Sequence, residues 1–551
     1  MMKHALAFLA LGLAPVCITS AEIPHLREQG ATKQLIVKGE PFLMLGGELG
    51  NSSGESGYLA PYWDKMVSMN INTLVVPVSW FLVEPVEGQY DWNTLDGLIR
   101  DARANDMRLV VIWFGVWKNS MSCYAPDWVK TDTARFPRCL ASNGRPVEIV
   151  TPLSEEALRC DARAFAAMMQ HIKATDGEEN TVVMVQVENE IGMVGDARDH
   201  SPLANAAYDS AVPAELITYM DKHFDSLHPT LRAKWLENGR KMSGKWAEVF
   251  GSDVQAEEIF MAWQFAQYTG KVTEAGKAEY PLPMYTNAAL IRPGYVQGQY
   301  PSAGPLPHLI DVWRAAAPSL DFLSPDIYFK DFIYWADAYT VPGNPLFIPE
   351  NMANTDAAVN AIYAIGNNHA MGYCPFAIES VSPQVEGLLR SSYGMLEQLS
   401  PLINAKAGTQ DMVGCMPQGD EQKQPKNLFI NDLSLFVNFE RVLPSANTIV
   451  IGADGTESKG SQGTIPAGAI IIATGPDELV IAGIGAVVTF APQKAGPEII
   501  GILSAEEGTY DEDGNWIHLR WLSGDQTHQG RHIRLDAGRF SIQRVRLYRY
   551  Q

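Results

Sequence analysis

The segment Val182-Val183-Met184-Val185-Gln186-Val187-Glu188-Asn189-Glu190 joins an almost wholly apolar run to two carboxylates and an amide. A run of that kind suits a strand covered on both faces. Acidic groups at the C-terminal tip of a buried parallel strand stand where barrel enzymes carry their chemistry. A second segment, Pro345-Leu346-Phe347-Ile348-Pro349-Glu350-Asn351, repeats the pattern. Two carboxyl groups about 5–5.5 Å apart cleave a glycosidic bond with retention, one as acid/base and the other as nucleophile. Glu190 and Glu350 are the candidate pair.

Their neighbours fit the same chemistry. Asn189, beside the acid, is placed to hydrogen-bond a sugar 2-hydroxyl. Asp326 and Tyr328 end the apolar run that precedes the one carrying Glu350, and a phenol bonded to that carboxylate would hold it ionised. Glu190 must keep its proton near neutrality, which calls for apolar or like-charge surroundings. Side chains alternate along a strand, so Glu188 and Glu190 share a face unless the strand end bends, and spacing leaves both as candidates for the acid. Trp80 and Tyr328 are the foremost aromatic surfaces for the apolar C–H faces of a sugar.

Elements able to position these groups recur along the chain. After an opening hairpin (34–37 with 42–45), apolar runs occur at 43–47, 73–78, 109–114, 182–187, 284–286, 322–327, 346–348 and 373–378. Helical patterns lie between them, at 92–105, 253–270, 308–317 and 356–366 and after Ser154, which caps Glu155 and Glu156. Eight strand–helix units predict a (β/α)₈ barrel over 22–408, its longest insertions (115–153 and 193–280) forming walls around the mouth. From 409 to 551 short apolar runs alternate with Gly-, Asp- and Asn-rich turns, among them Asp513-Gly514-Asn515 before Trp516, which predicts a separate all-β sandwich.

Composition narrows the partners. The 551 residues carry 42 Lys plus Arg against 63 Asp plus Glu, a net charge of −21 that repels nucleic acid and anionic membranes. A neutral oligosaccharide or polysaccharide suits that surface. Lys3, the apolar run 5–16 and the small residues near Ala21 read as a signal peptide over 1–21, predicting export to the periplasm or the extracellular space. No later stretch is apolar for long enough to insert in a membrane. Of the five cysteines beyond the signal, Cys123 and Cys139 either form a loop disulfide or stay as isolated thiols. No Cys-x-x-Cys or His-Glu-x-x-His occurs, so neither a metal nor another cofactor is expected.

The motif Gln186-Val187-Glu188-Asn189-Glu190-Ile191-Gly192 resembles the signature of the glycoside hydrolase family 35 β-galactosidases. Asn72 with Trp80, Glu84-Pro85 and Gly88-Gln89-Tyr90-Asp91, together with Pro126-Asp127-Trp128-Val129, are similar to further segments of that family. The resemblance spans about 30–405 and implies Glu190 as acid/base and Glu350 as nucleophile. It also implies a retaining exo-β-D-galactosidase that removes terminal galactosyl residues; export and an acidic surface compatible with neutral sugars point to plant-wall chains, such as xyloglucan-derived ones, as their source. The chain departs from the family where sugar hydroxyls are read: Pro77 stands for a tyrosine, Gly115-Val116-Trp117-Lys118-Asn119-Ser120 for a Cys-Ala-Glu group, and Gly46-Gly47-Glu48-Leu49-Gly50-Asn51 for a Gly-Ser-x-His pattern. Glu48, Asn51, Lys118 and Asn119 are the candidate substitutes, and these departures leave β-glucosidase- or β-mannosidase-like specificity as the alternative.

Two other readings are weaker. Gly50-Asn51-Ser52-Ser53-Gly54 matches a serine-hydrolase elbow, but Glu55-Ser56-Gly57 comes next, where a helix should begin. A sugar-binding barrel without catalysis would have no need of both carboxylates and the asparagine.

Overall fold

The computed structural model describes residues 22–417, 425–439, 449–451, 457–459 and 466–551. The export segment expected over 1–21 lies outside the described residues.

Eight parallel strands close into a barrel: β1 Met44–Glu48, β2 Thr73–Ser79, β3 Arg108–Lys118, β4 Val182–Asn189, β5 Met284–Ala289, β6 Phe322–Ile327, β7 Ile348–Asn351 and β8 Gly372–Pro375. Each apolar run read from the sequence overlaps one of them. At the seventh, pairing begins only at Ile348, and Leu346 and Phe347 lead into it. Alternation explains why the runs are apolar throughout. On β3, Leu109, Val111 and Trp113 join the layer shared with the surrounding helices, while Val110, Ile112 and Phe114 join an interior cluster with Met44, Val75 and Tyr285. Strands buried on both faces need apolar residues at both parities.

The opening hairpin differs from expectation. Thr32–Val37 pairs chiefly with His25–Gln29 before it and with only Glu40–Pro41 after it, because Met44 already belongs to β1. Leu35 and Val37 share the interior cluster with Met44, Phe347 and Met371, residues at or just before strand starts, so this sheet plugs the N-terminal end of the barrel.

Four helices bear on the site and its supports: α1 Glu155–Asp176, α2 Val254–Glu279, α3 Ala357–Gly366 and α4 Pro383–Lys406. Ser154 Oγ accepts the Ala157 N–H (3.2 Å) and Asp253 Oδ1 the Ala256 N–H (3.1 Å), each satisfying a first-turn amide. α3 is buried along its whole length, as expected of a helix apolar all round. One side faces the barrel and the other the C-terminal sheets.

Those sheets form the sandwich. Met412–Cys415, Gly468–Gly475, Glu478–Ile484, Ser541–Tyr550, Ile499–Tyr510 and Trp516–Trp521 make one sheet in that spatial order, and Lys426–Ile430, Leu433–Phe439, Ala486–Pro492 and Ile533–Leu535 the other. Ile470 and Ile472 pack into the barrel's helix layer while Ile471 packs into the sandwich core, so one strand serves both. The Asp511 turn is as read: its carboxylate accepts the Asn515 N–H at 2.7 Å, and Gly514 takes φ +78°. Cys123 and Cys139 are unbridged. Among the described residues no helix is long and apolar enough to cross a membrane.

Candidate active site

Glu190 comes directly after β4 and Glu350 lies on β7, and both open on the C-terminal mouth of the barrel. Oxygens of Glu190, Asp326 and Glu350 all lie within 4.8 Å of one another, although Glu190 and Glu350 are only 5% exposed. Asp326 of β6 stands beside Glu350 in register, and Asn287 Nδ2 donates to it at 2.5 Å. The Asn287 side-chain oxygen in turn accepts the Glu190 N–H at 2.8 Å. Glu48, at the tip of β1, completes the group by hydrogen-bonding Glu350. Four carboxyls thus share one buried space.

The nearest cation is Lys118, at the end of β3. Its ammonium lies 3.8 Å from Glu190 Oε2, and both side chains are almost fully buried. The Asn119 amide donates to the same oxygen, and the Tyr328 hydroxyl donates to Glu350 Oε1. Burial and the Glu350 charge push the Glu190 carboxyl up to about 7, with Lys118 acting in the opposite sense. Glu350 is raised by burial, and Lys118, Tyr328 and Glu48 pull it back. Glu48 and Asp326 go well above the carboxylate range, chiefly through burial and then through the Glu350 charge. The arrangement holds neutral acids around a pair of unlike carboxyls, the condition for one to give a proton and the other to attack.

Glu188 is elsewhere. With φ +63° it leaves the strand's alternation and turns into the helix layer, where it accepts the N–H groups of Val116 (3.1 Å) and Trp117 (2.8 Å) and bonds Asp161 of α1. The shared face expected for Glu188 and Glu190 is therefore corrected: the strand end bends. A left-handed φ at a non-glycine residue is uncommon and tends to cluster at functional sites.

Other expected site residues divide. Asn189 is fully buried and neither side-chain polar atom has a protein partner, a state that costs free energy unless something else pairs with them. Asn51 lies just past β1, its side-chain oxygen likewise unpartnered. Trp80 is corrected. Its indole is fully buried, its N–H donates to Glu84 at 2.8 Å, and it packs against Trp113 and Trp128. No face of that ring is open to a sugar. Glu84 also takes the Arg163 guanidinium at 2.6 Å, so the Trp80–Glu84 motif is a structural clasp. Asn287 was missed; the signal was a polar residue directly after the fifth apolar run.

A cavity of about 300 Å³ lies among the segments that follow β4, β5 and β6, lined by Ile291, Tyr295, Gln297, His308, Tyr334 and Trp335. Ile291 precedes Arg292, whose charge acts on Glu190, and Trp335 packs on Phe329, the neighbour of Tyr328. Asp196 and His200, in the segment after β4, and Glu257 of α2 also bring three donor atoms within 4.8 Å, but Arg198 already binds Glu257 at 3.1 Å.

A family model described as "Beta-galactosidase", that of glycoside hydrolase family 42, matches residues 59–254, and one described as "Domain of unknown function (DUF5597)" matches 389–534. A "Beta-galactosidase" of Xanthomonas manihotis is 26% identical over 201 residues, 36% of this chain, and the chain spans 31% of that relative's length. Among solved structures, a beta-galactosidase from Bacillus circulans sp. alkalophilus aligns with a TM-score of 0.45 at 14% identity over 66% of this chain and 57% of its own. The exo-beta-1,4-mannosidase Op5Man5 from Opitutaceae bacterium strain TAV5 aligns with a TM-score of 0.39 at 13% identity over 66% of this chain and 61% of its own. The likeness holds at the level of β-galactosidase-like barrel glycosidases and not of family 35 in particular.

Proposed function

We propose that the protein is a retaining β-glycosidase that removes terminal β-galactosyl residues from oligo- or polysaccharides by double displacement. The observation that carries this reading is the close approach of Glu190 and Glu350, with oxygens within 4.8 Å. That spacing favours retention, since inversion needs about 6.5–9.5 Å to admit a water.

In the first step Glu350 attacks the anomeric carbon while Glu190 delivers its proton to the departing oxygen. Glu350, held by Tyr328, is the better nucleophile of the two because its hydrogen bonds favour the ionised form, whereas the Glu350 charge raises Glu190. Glu190, held near 7, is an acid suited to work just below neutrality. In the second step Glu190, now ionised, takes a proton from water as that water attacks the same carbon, and the bond to Glu350 breaks to return it as a carboxylate. Asn189, whose polar atoms have no protein partner, hydrogen-bonds the 2-hydroxyl, and Glu48, Asn51 and Asn119 contact the remaining hydroxyls. The cavity lined by Tyr334 and Trp335 supports a further sugar on the leaving-group side. Export to the periplasm or beyond, read from residues 1–21, would bring the protein to such chains.

Incubation with a 2-deoxy-2-fluoro-galactosyl donor, then peptide mass spectrometry, should find the label on Glu350. A label on another residue would overturn the nucleophile. Hydrolysis of p-nitrophenyl gluco- or mannoside with none of the galactoside would overturn the sugar.

A further inference from the structure

β3 and β4 fall out of step at the site. Trp113 pairs with Val187 and Lys118 with Asn189, so the segment 114–117 faces the single residue Glu188. Such a bulge re-aims the side chains just beyond it. Here those are Lys118 and Asn119, the two groups that touch Glu190.

Toward β4 the bulge has no ordinary ladder partners, and Glu188 supplies them. Its two oxygens each accept one N–H, from Val116 and from Trp117. Behind it, Asp161 accepts from the Trp113 indole (2.8 Å) and the Tyr268 hydroxyl (3.1 Å) and bonds Glu188. Gly115 is required at the centre: a Cβ there would lie 2.5 Å from Glu188 Oε1 and 2.8 Å from Asp161 Oδ1. Beyond the bulge, Asn119 (φ +49°) and Ser120 (φ +68°) turn the chain back, and the Ser120 N–H donates to the Glu190 carbonyl at 3.1 Å.

We infer that Glu188, backed by Asp161, is a positioning residue that holds the third-strand bulge so that Lys118 and Asn119 reach Glu190. It touches no substrate and acts only through those two side chains. The inference rests on the reading of Glu190 as the acid. The charged groups around Glu190 are Glu350, Asp326, Lys118, Arg292 and Glu48; of these only Lys118 is carried by the bulge. Losing it raises the Glu190 proton affinity, so the alkaline limb of the kcat/KM profile moves to higher pH.

Glu188→Gln leaves one acceptor for two N–H groups. A crystal structure of E188Q should show the Lys118 ammonium and the Asn119 amide withdrawn from Glu190. Its kcat/KM should fall about 10- to 100-fold, the scale of a misplaced catalytic neighbour, with the alkaline limb displaced upward by about 1 on the pH scale. Both effects should largely vanish in a Lys118→Met/Asn119→Ala background. Should E188Q not fold, Gly115→Ala, which presses on the same carboxylate, should displace the limb in the same direction. A structure of E188Q with Lys118 and Asn119 still seated on Glu190, or an unmoved alkaline limb in both variants, would overturn the inference. If the wild type hydrolyses no glycoside, the glycosidase proposal fails, and the crystal structure still decides the positioning role.

Discussion

Replacing Lys118 with methionine removes one charge from the mouth and little else. Methionine matches the lysine stem in length, and the ammonium it removes also faces the Phe114 ring, 5.4 Å from the ring centroid. At 3.8 Å and an effective dielectric of about 20, the attraction between Lys118 and ionised Glu190 is about 4 kcal/mol. That corresponds to about 3 on the pH scale. The lysine is shared among several carboxyls, and water will re-enter in its place, so a displacement of about 1–2 is expected. The protonated state sets the sign. Glu190 works as the acid form, so stabilising that form extends activity to higher pH, and the alkaline limb leaves about 7 and moves upward. Glu350 must be ionised, and it too loses the help of Lys118, so the acidic limb moves up as well. The assay is kcat/KM for an aryl galactoside from pH 4 to 10, with circular dichroism as the check on folding. A K118M profile superimposable on the wild type would refute the electrostatic account of the site.

Tyr328→Phe removes the donor on Glu350. The acidic limb alone should move upward by about 1–2, the worth of a hydrogen bond to a charged group, as a pH–rate profile will show. Asp326→Asn should raise the Tm more at pH 8 than at pH 4. The folded protein holds Asp326 in its neutral form, so the wild type loses stability as pH rises from the unfolded carboxyl value towards the raised folded one. Equal gains at both pH values in a melting series would contradict that assignment. Trp80→Phe should cost about 2–4 kcal/mol in denaturant unfolding, from one lost hydrogen bond to a buried carboxylate and the volume left by the smaller ring. KM should stay unchanged, whereas a sugar-stacking role would raise it several-fold.

Much of the framework was legible because burial on both faces writes itself into a strand as an unbroken apolar run. That is why all eight barrel strands could be located, and why the two carboxylates ending the fourth and seventh runs stood out. In the sandwich the same logic missed Met412–Cys415, Glu478–Ile484 and Ile533–Leu535. Two of these are very short, and Glu478–Ile484 lies too close behind the preceding strand to separate by apolarity. Trp80 misled because an aromatic near a strand end looks alike whether it faces a ligand or a core, and only its contact with Glu84 distinguishes the two.

By itself the chain determined a closed parallel sheet with Glu190 and Glu350 at its strand ends, since hydrophobic periodicity is a local property that folding must satisfy. Tertiary structure decided which carboxyl beside Asn189 enters the mouth. A left-handed backbone at Glu188 and a bulge on the neighbouring strand override the two-residue alternation. It also decided what each acid can do, because the proton affinity of Glu190 is set by burial and by Lys118, Asp326 and Glu350, which come from three other strands. Charges brought together from distant parts of a chain leave no mark on local sequence pattern.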